Sequence, residues 1–169
     1  IYVANTAGNS ITALDGPSNT VLATIGVGVA PTSLTVSPDG NTLYVTNSGS
    51  NTITAMSTLS GAIIANIGVG ARPQSVAVNP AGSRLYVANT SSNNVTVLNT
   101  TTGATVATIA VGTAPTGIAV SPNGARVYVV NRSSGTVSAI NTATNKVVAT
   151  MKVGTTPQSI ALSSDGSRL

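Results

Sequence analysis

A repeat of 42 residues constrains this chain more than any other feature of its sequence. The tyrosines recur at this spacing without insertion or deletion, at Tyr2, Tyr44, Tyr86 and Tyr128. A glycine and a proline keep the same spacing, at Gly28, Gly70, Gly112 and Gly154, and at Pro31, Pro73, Pro115 and Pro157. A fixed period in this range is typical of repeat architectures. We therefore divide residues 1–169, a single domain, into repeats 1–42, 43–84, 85–126 and 127–168.

The third repeat predicts four short strands and no helix. In the segment that begins at Leu85, Leu85 and Val87 lie on one face and Tyr86 on the other, and the segment that begins at Val95 alternates again, which is the pattern of a half-buried strand. Apart from Ala104 and Ala114, the segments between the predicted strands consist of Asn, Thr, Ser, Gly and Pro, which favour turns. The predicted strands are Leu85–Ala88, Val95–Leu98, Thr105–Val111 and Gly117–Val120.

The predicted fold is an all-β propeller with four-stranded antiparallel blades. A single four-stranded meander buries its faces poorly and needs neighbours, and repeats of this length and content are propeller blades. A β-solenoid is the main rival, but its coils lack tight hairpins at every corner. Four blades can close as a small ring, form half of an eight-bladed homodimer, or belong to a larger propeller. A final strand, Ser159–Ser163, could also join the first three strands of the chain and remove an exposed sheet edge.

The repeated motifs resemble the YVTN β-propeller repeat. The resemblance is carried by Leu43–Asn47 (LYVTN), by the VGxxP segment and by the SPDG turn at Ser37–Gly40, and it covers the entire chain. It implies propeller blades of secreted or cell-surface proteins of archaea and bacteria, often surface-layer or scaffold proteins. It implies no single activity, because the fold alone does not determine function.

The side chains available for catalysis are few. The chain has no His and no Cys, and its three acidic residues are all aspartates. Asp39 and Asp165 occupy a turn position that Asn123 fills in another repeat, which indicates a turn-forming role. General acid–base catalysis and metal binding need His, Cys or clustered carboxylates. The sequence therefore predicts no catalytic residue, no metal and no cofactor, and thus a protein that is not an enzyme.

One face of the predicted propeller is the candidate ligand or partner surface. The turn after each tyrosine strand and the VGxxP connection should lie on that face, and loops on a rigid scaffold commonly carry binding residues. As an alternative to binding a ligand, the asparagines could cap the turns with their side chains. The tyrosines are expected to pack between blades. The candidate residues are Asn5, Asn47, Asn89, Asn131, Arg72 and Arg132.

The cations give a second, weaker hypothesis. Arg84, Arg126 and Arg168 recur on the opposite face, where they could bind a polyanion or cover apolar blade edges with their stems. Seven cations in 169 residues form a sparse field, which argues against a nucleic-acid partner.

These observations predict a non-catalytic structural or interaction scaffold of the cell surface or secreted space, with polar loops that bind a protein or a glycan. Charged residues make up only 6% of the chain, against about 25% in typical domains, and no signal peptide is recognisable. The apolar runs have strand length, so no membrane span is expected. The alternative is part of a larger propeller enzyme, a lyase or a quinone-linked enzyme as found among related propellers, whose catalytic residues lie in other blades.

Overall fold

The computed structural model describes residues 1–169 and confirms the all-β prediction. The chain forms fifteen strands, almost all six residues long, and no helix of the length and apolarity that a membrane span needs is present. The predicted strands of the third repeat are all found, each extended or shortened by one or two residues. The strands are β1 (Tyr2–Asn5), β2 (Ser10–Asp15), β3 (Thr20–Gly26), β4 (Pro31–Val36), β5 (Thr42–Asn47), β6 (Thr52–Ser57), β7 (Ile63–Gly68), β8 (Pro73–Val78), β9 (Arg84–Asn89), β10 (Asn94–Asn99), β11 (Thr105–Ala110), β12 (Pro115–Val120), β13 (Arg126–Asn131), β14 (Thr136–Asn141) and β15 (Lys146–Lys152).

The strands form antiparallel sheets that are out of phase with the sequence repeat. Three sheets have four strands, β4–β7, β8–β11 and β12–β15, and one has three, β1–β3. The strands β4, β8 and β12 begin with the recurrent proline, and we call them the proline strands. Each four-stranded sheet starts with the proline strand that ends one repeat and continues with the first three strands of the next repeat. The reason is the connection: the tight Pro-x-Gly turn joins sheet neighbours, whereas the VGxxP segment crosses from one sheet to the next.

The proline strands are the inner strands of the blades. Strand β4 packs against β8, and β8 packs against β12, so the inner strands of successive blades lie side by side. The segment Gln158–Ile160 continues this series, because it lies against Gly117 in β12. The arrangement is that of a β-propeller, built from these four sheets in sequence order.

The predicted closure of the chain onto its own first strand is not formed. Strand β1 pairs only with β2, and Ser159–Ser163 forms no strand. The four sheets consequently make an open arc rather than a closed four-bladed ring. In the three complete blades the strand equivalent to β1 is paired on both sides, with the inner strand and with the third strand.

The core lies between the blades. Tyr86 and Ala88 point to one side of their sheet, into a cluster with Val127 and Val129 of the next blade. Leu85 and Val87 point to the other side, into a cluster with Tyr44 of the preceding blade. Burial raises the pKa of the Tyr86 phenol above its usual value. The expectation that tyrosines pack between blades is confirmed for Tyr44 and Tyr86.

Candidate functional site

The turns after the tyrosine strands and the VGxxP connections lie together at one end of the blades. The backbone N–H of Thr90 donates to the carbonyl of Arg72, and that of Arg132 donates to the carbonyl of Ala114, at 2.9 and 3.0 Å. Sequence reasoning predicted this common face. We call it the mouth face, and the end that carries the Pro-x-Gly turns the opposite face.

The candidate asparagines lie beneath the mouth face rather than on it. Asn47, Asn89 and Asn131 are completely buried. The Asn89 Nδ2 group donates to Asn94 Oδ1 and Thr96 Oγ1, both at 2.8 Å, and the other two asparagines donate in the same way to hydroxyls five and seven residues later. Asn5, half-buried, donates to Ser10 and Thr12. These amides therefore tie the second strand of each blade to the third.

A recurrent glycine allows this burial. A Cβ atom on Gly70 would stand 2.7 Å from the Cγ and Nδ2 atoms of Asn89. Gly28 and Gly112 have the same relation to the other two buried asparagines. The oxygen atoms of these three amides have no hydrogen-bond partner, so the glycine and the two accepting groups hold each side chain in place.

A second set of asparagines connects neighbouring blades at the mouth face. The Asn51 Oδ1 atom accepts from the backbone N–H of Arg72 at 2.9 Å, and Asn93 accepts from Ala114 at 2.8 Å. Asn51 and Asn93 have positive φ angles of 57° and 53°, a region that Asn tolerates better than most residues. The backbone that carries Arg72 is thereby fixed to the preceding blade.

Arg72 and Arg132 line one polar pocket on the inner side of the mouth face. The pocket has a volume of about 360 Å³ and no hydrophobic lining residue. It is built by three successive inner segments, and its lining residues are Arg72, Gln74, Thr90, Thr116, Arg132 and Gln158. We call it the mouth pocket.

β-bulges bring the inner strands into this pocket. The register of β8 against β9 shifts between Pro73 and Ser75, and that of β12 against β13 shifts between Pro115 and Gly117. The residue inside each bulge, Gln74 or Thr116, is left out of the ladder. Bulges commonly redirect a side chain at a functional site, and here both bulge residues line the mouth pocket.

The hydroxyl groups in the pocket hold neighbouring blades together. Thr90 Oγ1 donates to the Pro115 carbonyl at 2.7 Å, and Thr116 Oγ1 donates to the Gln158 carbonyl at 3.0 Å. The guanidinium groups of Arg84 and Arg126 on the opposite face donate to backbone carbonyls, whereas those of Arg72 and Arg132 form no hydrogen bond within the chain. The two arginines of the mouth pocket are therefore available to a ligand.

The carboxylates lie at the opposite face. Asp39 accepts from the Ser37 hydroxyl and the Asn41 backbone, and Asp165 accepts from the hydroxyls of Ser163 and Ser167. These hydrogen bonds lower the pKa of Asp39, and lower that of Asp165 to about 2. Both turns confirm the predicted structural role. No three His, Cys, Asp or Glu side chains gather in a group that could hold a metal ion.

The fold and the pocket define a β-propeller with a polar, cationic site at one end of its inner strands. The family model "Lactonase, 7-bladed beta-propeller" matches residues 17–108, more than half of the chain. The chain belongs to this family of seven-bladed propellers. It matches none of the curated proteins with which it was compared.

Solved structures share the fold over nearly the whole chain. Kuenenia stuttgartiensis hydrazine synthase superposes with a TM-score of 0.94 and 26% identity, over 98% of this chain and 49% of that one. A functionally unknown protein from Desulfotomaculum acetoxidans DSM 771 superposes with a TM-score of 0.86 and 17% identity, over 98% of this chain and 56% of that one. The chain thus spans about half the length of these structures.

The expectation that the protein is not an enzyme is wrong. The lactonase family and the likeness to hydrazine synthase point to enzymatic propellers. The error has a physical cause, because an active site at the end of a propeller can draw side chains from any blade. The absence of His, Cys and Glu from 169 residues therefore does not exclude catalysis by the whole ring.

Sequence reasoning placed Arg72 and Arg132 on one face but missed Gln74 and Gln158. These glutamines follow the recurrent proline, where the other two repeats carry Thr32 and Thr116. A comparison of the repeats position by position, directed at departures rather than at the shared residues, would have found them.

Proposed function

We propose that this chain forms blades of a larger propeller enzyme that hydrolyses a lactone. The family match supports the reaction class, and the length of the similar solved structures supports a larger ring. The mouth pocket is the observation that carries the proposal, because it is a polar concavity shared by two blades and the segment that follows them, and it holds arginines without partners in the chain.

The chemistry assigns different tasks to this chain and to the rest of the ring. Water adds to the lactone carbonyl carbon, the ring C–O bond breaks, and the released oxygen takes a proton to give a hydroxy acid. Negative charge develops on the carbonyl oxygen, and preorganised cationic donors such as Arg72 and Arg132 stabilise such charge. The general base must come from elsewhere, because the aspartates of this chain lie at the opposite face.

The test is hydrolysis of a panel of γ- and δ-lactones by the protein that carries these blades in a complete ring, followed as acid release in a pH-stat. We expect turnover of at least one lactone, and no turnover by residues 1–169 alone. Failure of the complete ring on every lactone would refute the reaction. Full activity of residues 1–169 alone would refute the division of tasks.

We further propose that the protein works outside the cytoplasm. Its low charged content supports this, as does the likeness of its repeats to those of cell-surface propellers. Fractionation of the native cells tests it: recovery of the protein only in the cytosol would contradict the proposal.

A further inference from the structure

Three of the four VGxxP connections are braced by an asparagine of the preceding blade. In each, the residue directly before the proline has a positive φ angle, and its backbone N–H donates to the asparagine Oδ1 atom. We call this hydrogen bond the asparagine brace. The donors and acceptors are Ala30 and Asn9, Arg72 and Asn51, and Ala114 and Asn93, at 2.9, 2.9 and 2.8 Å.

The fourth connection lacks the asparagine brace. Gly135 stands where the other repeats carry the asparagine, and the backbone N–H of Thr156 makes no hydrogen bond within the chain. Thr156 nevertheless has a positive φ angle of 50°. A β-branched residue rarely adopts this conformation, and Pro157 favours an extended backbone for the residue before it. Thr156 is therefore strained, and the hydrogen bond that offsets such strain in the other connections is missing.

The fourth connection also lies closer to its blade than a side chain at residue 135 would permit. The Gly154 carbonyl oxygen is 2.7 Å from the position that a Cβ atom on Gly135 would take. An asparagine at residue 135 would exclude this position of the connection, whereas Gly135 permits it. Two positions are thus open to the fourth connection: the one against Gly135, and the one that the asparagine brace holds in the other repeats.

The unbraced segment is short and is anchored at both ends. The backbone N–H of Val153 donates to the Gly135 carbonyl at 3.0 Å. On the other side, the Gln158 carbonyl accepts from the Thr116 hydroxyl at 3.0 Å. Only Gly154–Pro157 lies between these anchors, and we call this segment the strap. A change at Thr156 can therefore move the strap without disturbing the sheets.

The strap is part of the wall around the candidate site. Gly154–Thr156 and Arg132 line a cavity of about 510 Å³ on the mouth face. Arg132 also lines the mouth pocket, as does Gln158, the residue that follows the strap. Movement of the strap therefore changes the surroundings of two residues of the mouth pocket.

We propose that the strap is a lid segment that gates the mouth pocket by moving between these two positions. Segments that open and close over active sites complete the catalytic arrangement and control release of the product, and strained backbone is common in such segments. The inference deepens the proposed function and rests on it in one respect: the molecules whose entry and release the strap controls are the lactone and its hydroxy acid.

The repeats provide matched variants for the test. G135N/T156A gives the fourth connection the residue pair that the third connection has, Asn93 and Ala114. It adds the asparagine brace and excludes the position against residue 135. The control N9G/A30T makes the reverse exchange in the first connection, whose residues do not line the mouth pocket. Neither variant changes the net charge.

Motion is measured in the complete ring by ¹⁵N relaxation dispersion NMR, which detects exchange on the microsecond to millisecond timescale. In the wild type we expect exchange at Thr155 and Thr156 and none in the first connection. G135N/T156A should abolish this exchange, and N9G/A30T should create exchange at Gly28 and Val29. The kcat/KM for lactone hydrolysis should fall about tenfold in G135N/T156A and stay within about twofold of the wild type in N9G/A30T.

Four results would overturn the inference: no exchange at Thr155 and Thr156 in the wild type, exchange that persists in G135N/T156A, no new exchange in N9G/A30T, or equal kcat/KM in the two variants. Its failure is distinguishable from failure of the proposed function. Exchange that G135N/T156A abolishes, without lactone hydrolysis by the complete ring, would refute the reaction and leave the moving strap. Hydrolysis by a ring whose strap shows no exchange would do the reverse.

Discussion

Replacing Gly70 with alanine tests how the mouth face is built. The added methyl group would stand 2.7 Å from the Cγ and Nδ2 atoms of Asn89 and 2.9 Å from its Cβ atom. Asn89 is completely buried and donates to Asn94 Oδ1 and Thr96 Oγ1. The amide cannot move away without losing at least one of these hydrogen bonds.

The magnitude follows from these two costs. Overpacking a buried site costs about 1–3 kcal/mol, and loss of one hydrogen bond costs about 1 kcal/mol. We therefore expect G70A to lower the free energy of unfolding by about 2–4 kcal/mol. With a urea m-value of about 2 kcal/mol per molar, the midpoint falls by about 1 M or more, measured by circular dichroism.

G68A is the matched control, because a methyl group at Gly68 meets no atom within 4 Å; its midpoint should be unchanged. The double variant G70A/N89A removes the side chain that the new methyl group contacts. Its cost should therefore be smaller than the sum of the single costs by about 1 kcal/mol or more. A G70A midpoint equal to that of G68A, or additive costs in the double variant, would refute the reasoning.

Three further predictions concern stability. R132T should raise the free energy of unfolding by about 0.5–1 kcal/mol, because a threonine there can donate to the Pro157 carbonyl as its equivalents do; a urea midpoint below that of the wild type would contradict this. The lowered pKa values of Asp39 and Asp165 mean that their contribution to stability is complete above the unfolded value near 3.8 and is lost as the pH falls below it, toward about 2 for Asp165. Urea midpoints between pH 5 and 2 should show this fall, and D39N/D165N should flatten it. N93A should cost about 2 kcal/mol and N93G about 1 kcal/mol, because only glycine keeps the positive φ angle without strain; the reverse order in urea melts would show that Asn93 acts otherwise.

Much of the fold could be predicted because every repeat presents the same local signals. The alternation around Tyr86, the polar turns and the recurrent proline predicted strands that the structure confirms. It was harder to infer from the sequence which four consecutive strands form one blade, because each blade combines the last strand of one repeat with the first three strands of the next. This grouping depends on which connection is too extended to join sheet neighbours, and the VGxxP segment proves to be that connection.

The site was less predictable, because burial depends on neighbours that the sequence does not show. Asparagine is usually found in exposed loops, yet Asn89 is buried, because Gly70 lies against its side chain and the Thr96 hydroxyl accepts a hydrogen bond from it. The common pocket of Arg72 and Arg132 depends on how two blades and the segment at Gln158 pack side by side. The proposed catalytic role of a larger ring could not be inferred from these residues, because no carboxylate or histidine that could act as a general base lies at the mouth face.

We infer that the function lies where the repeats differ, at the mouth pocket. The most direct test is kcat/KM for lactone hydrolysis by the complete ring that carries either R72A/R132T or R84T/R126T. Loss of preorganised cationic donors should lower kcat/KM about 100-fold in the first variant. The second variant should stay within about twofold of the wild type, because it changes the same net charge at the opposite face. Equal values in the two variants would contradict the claim.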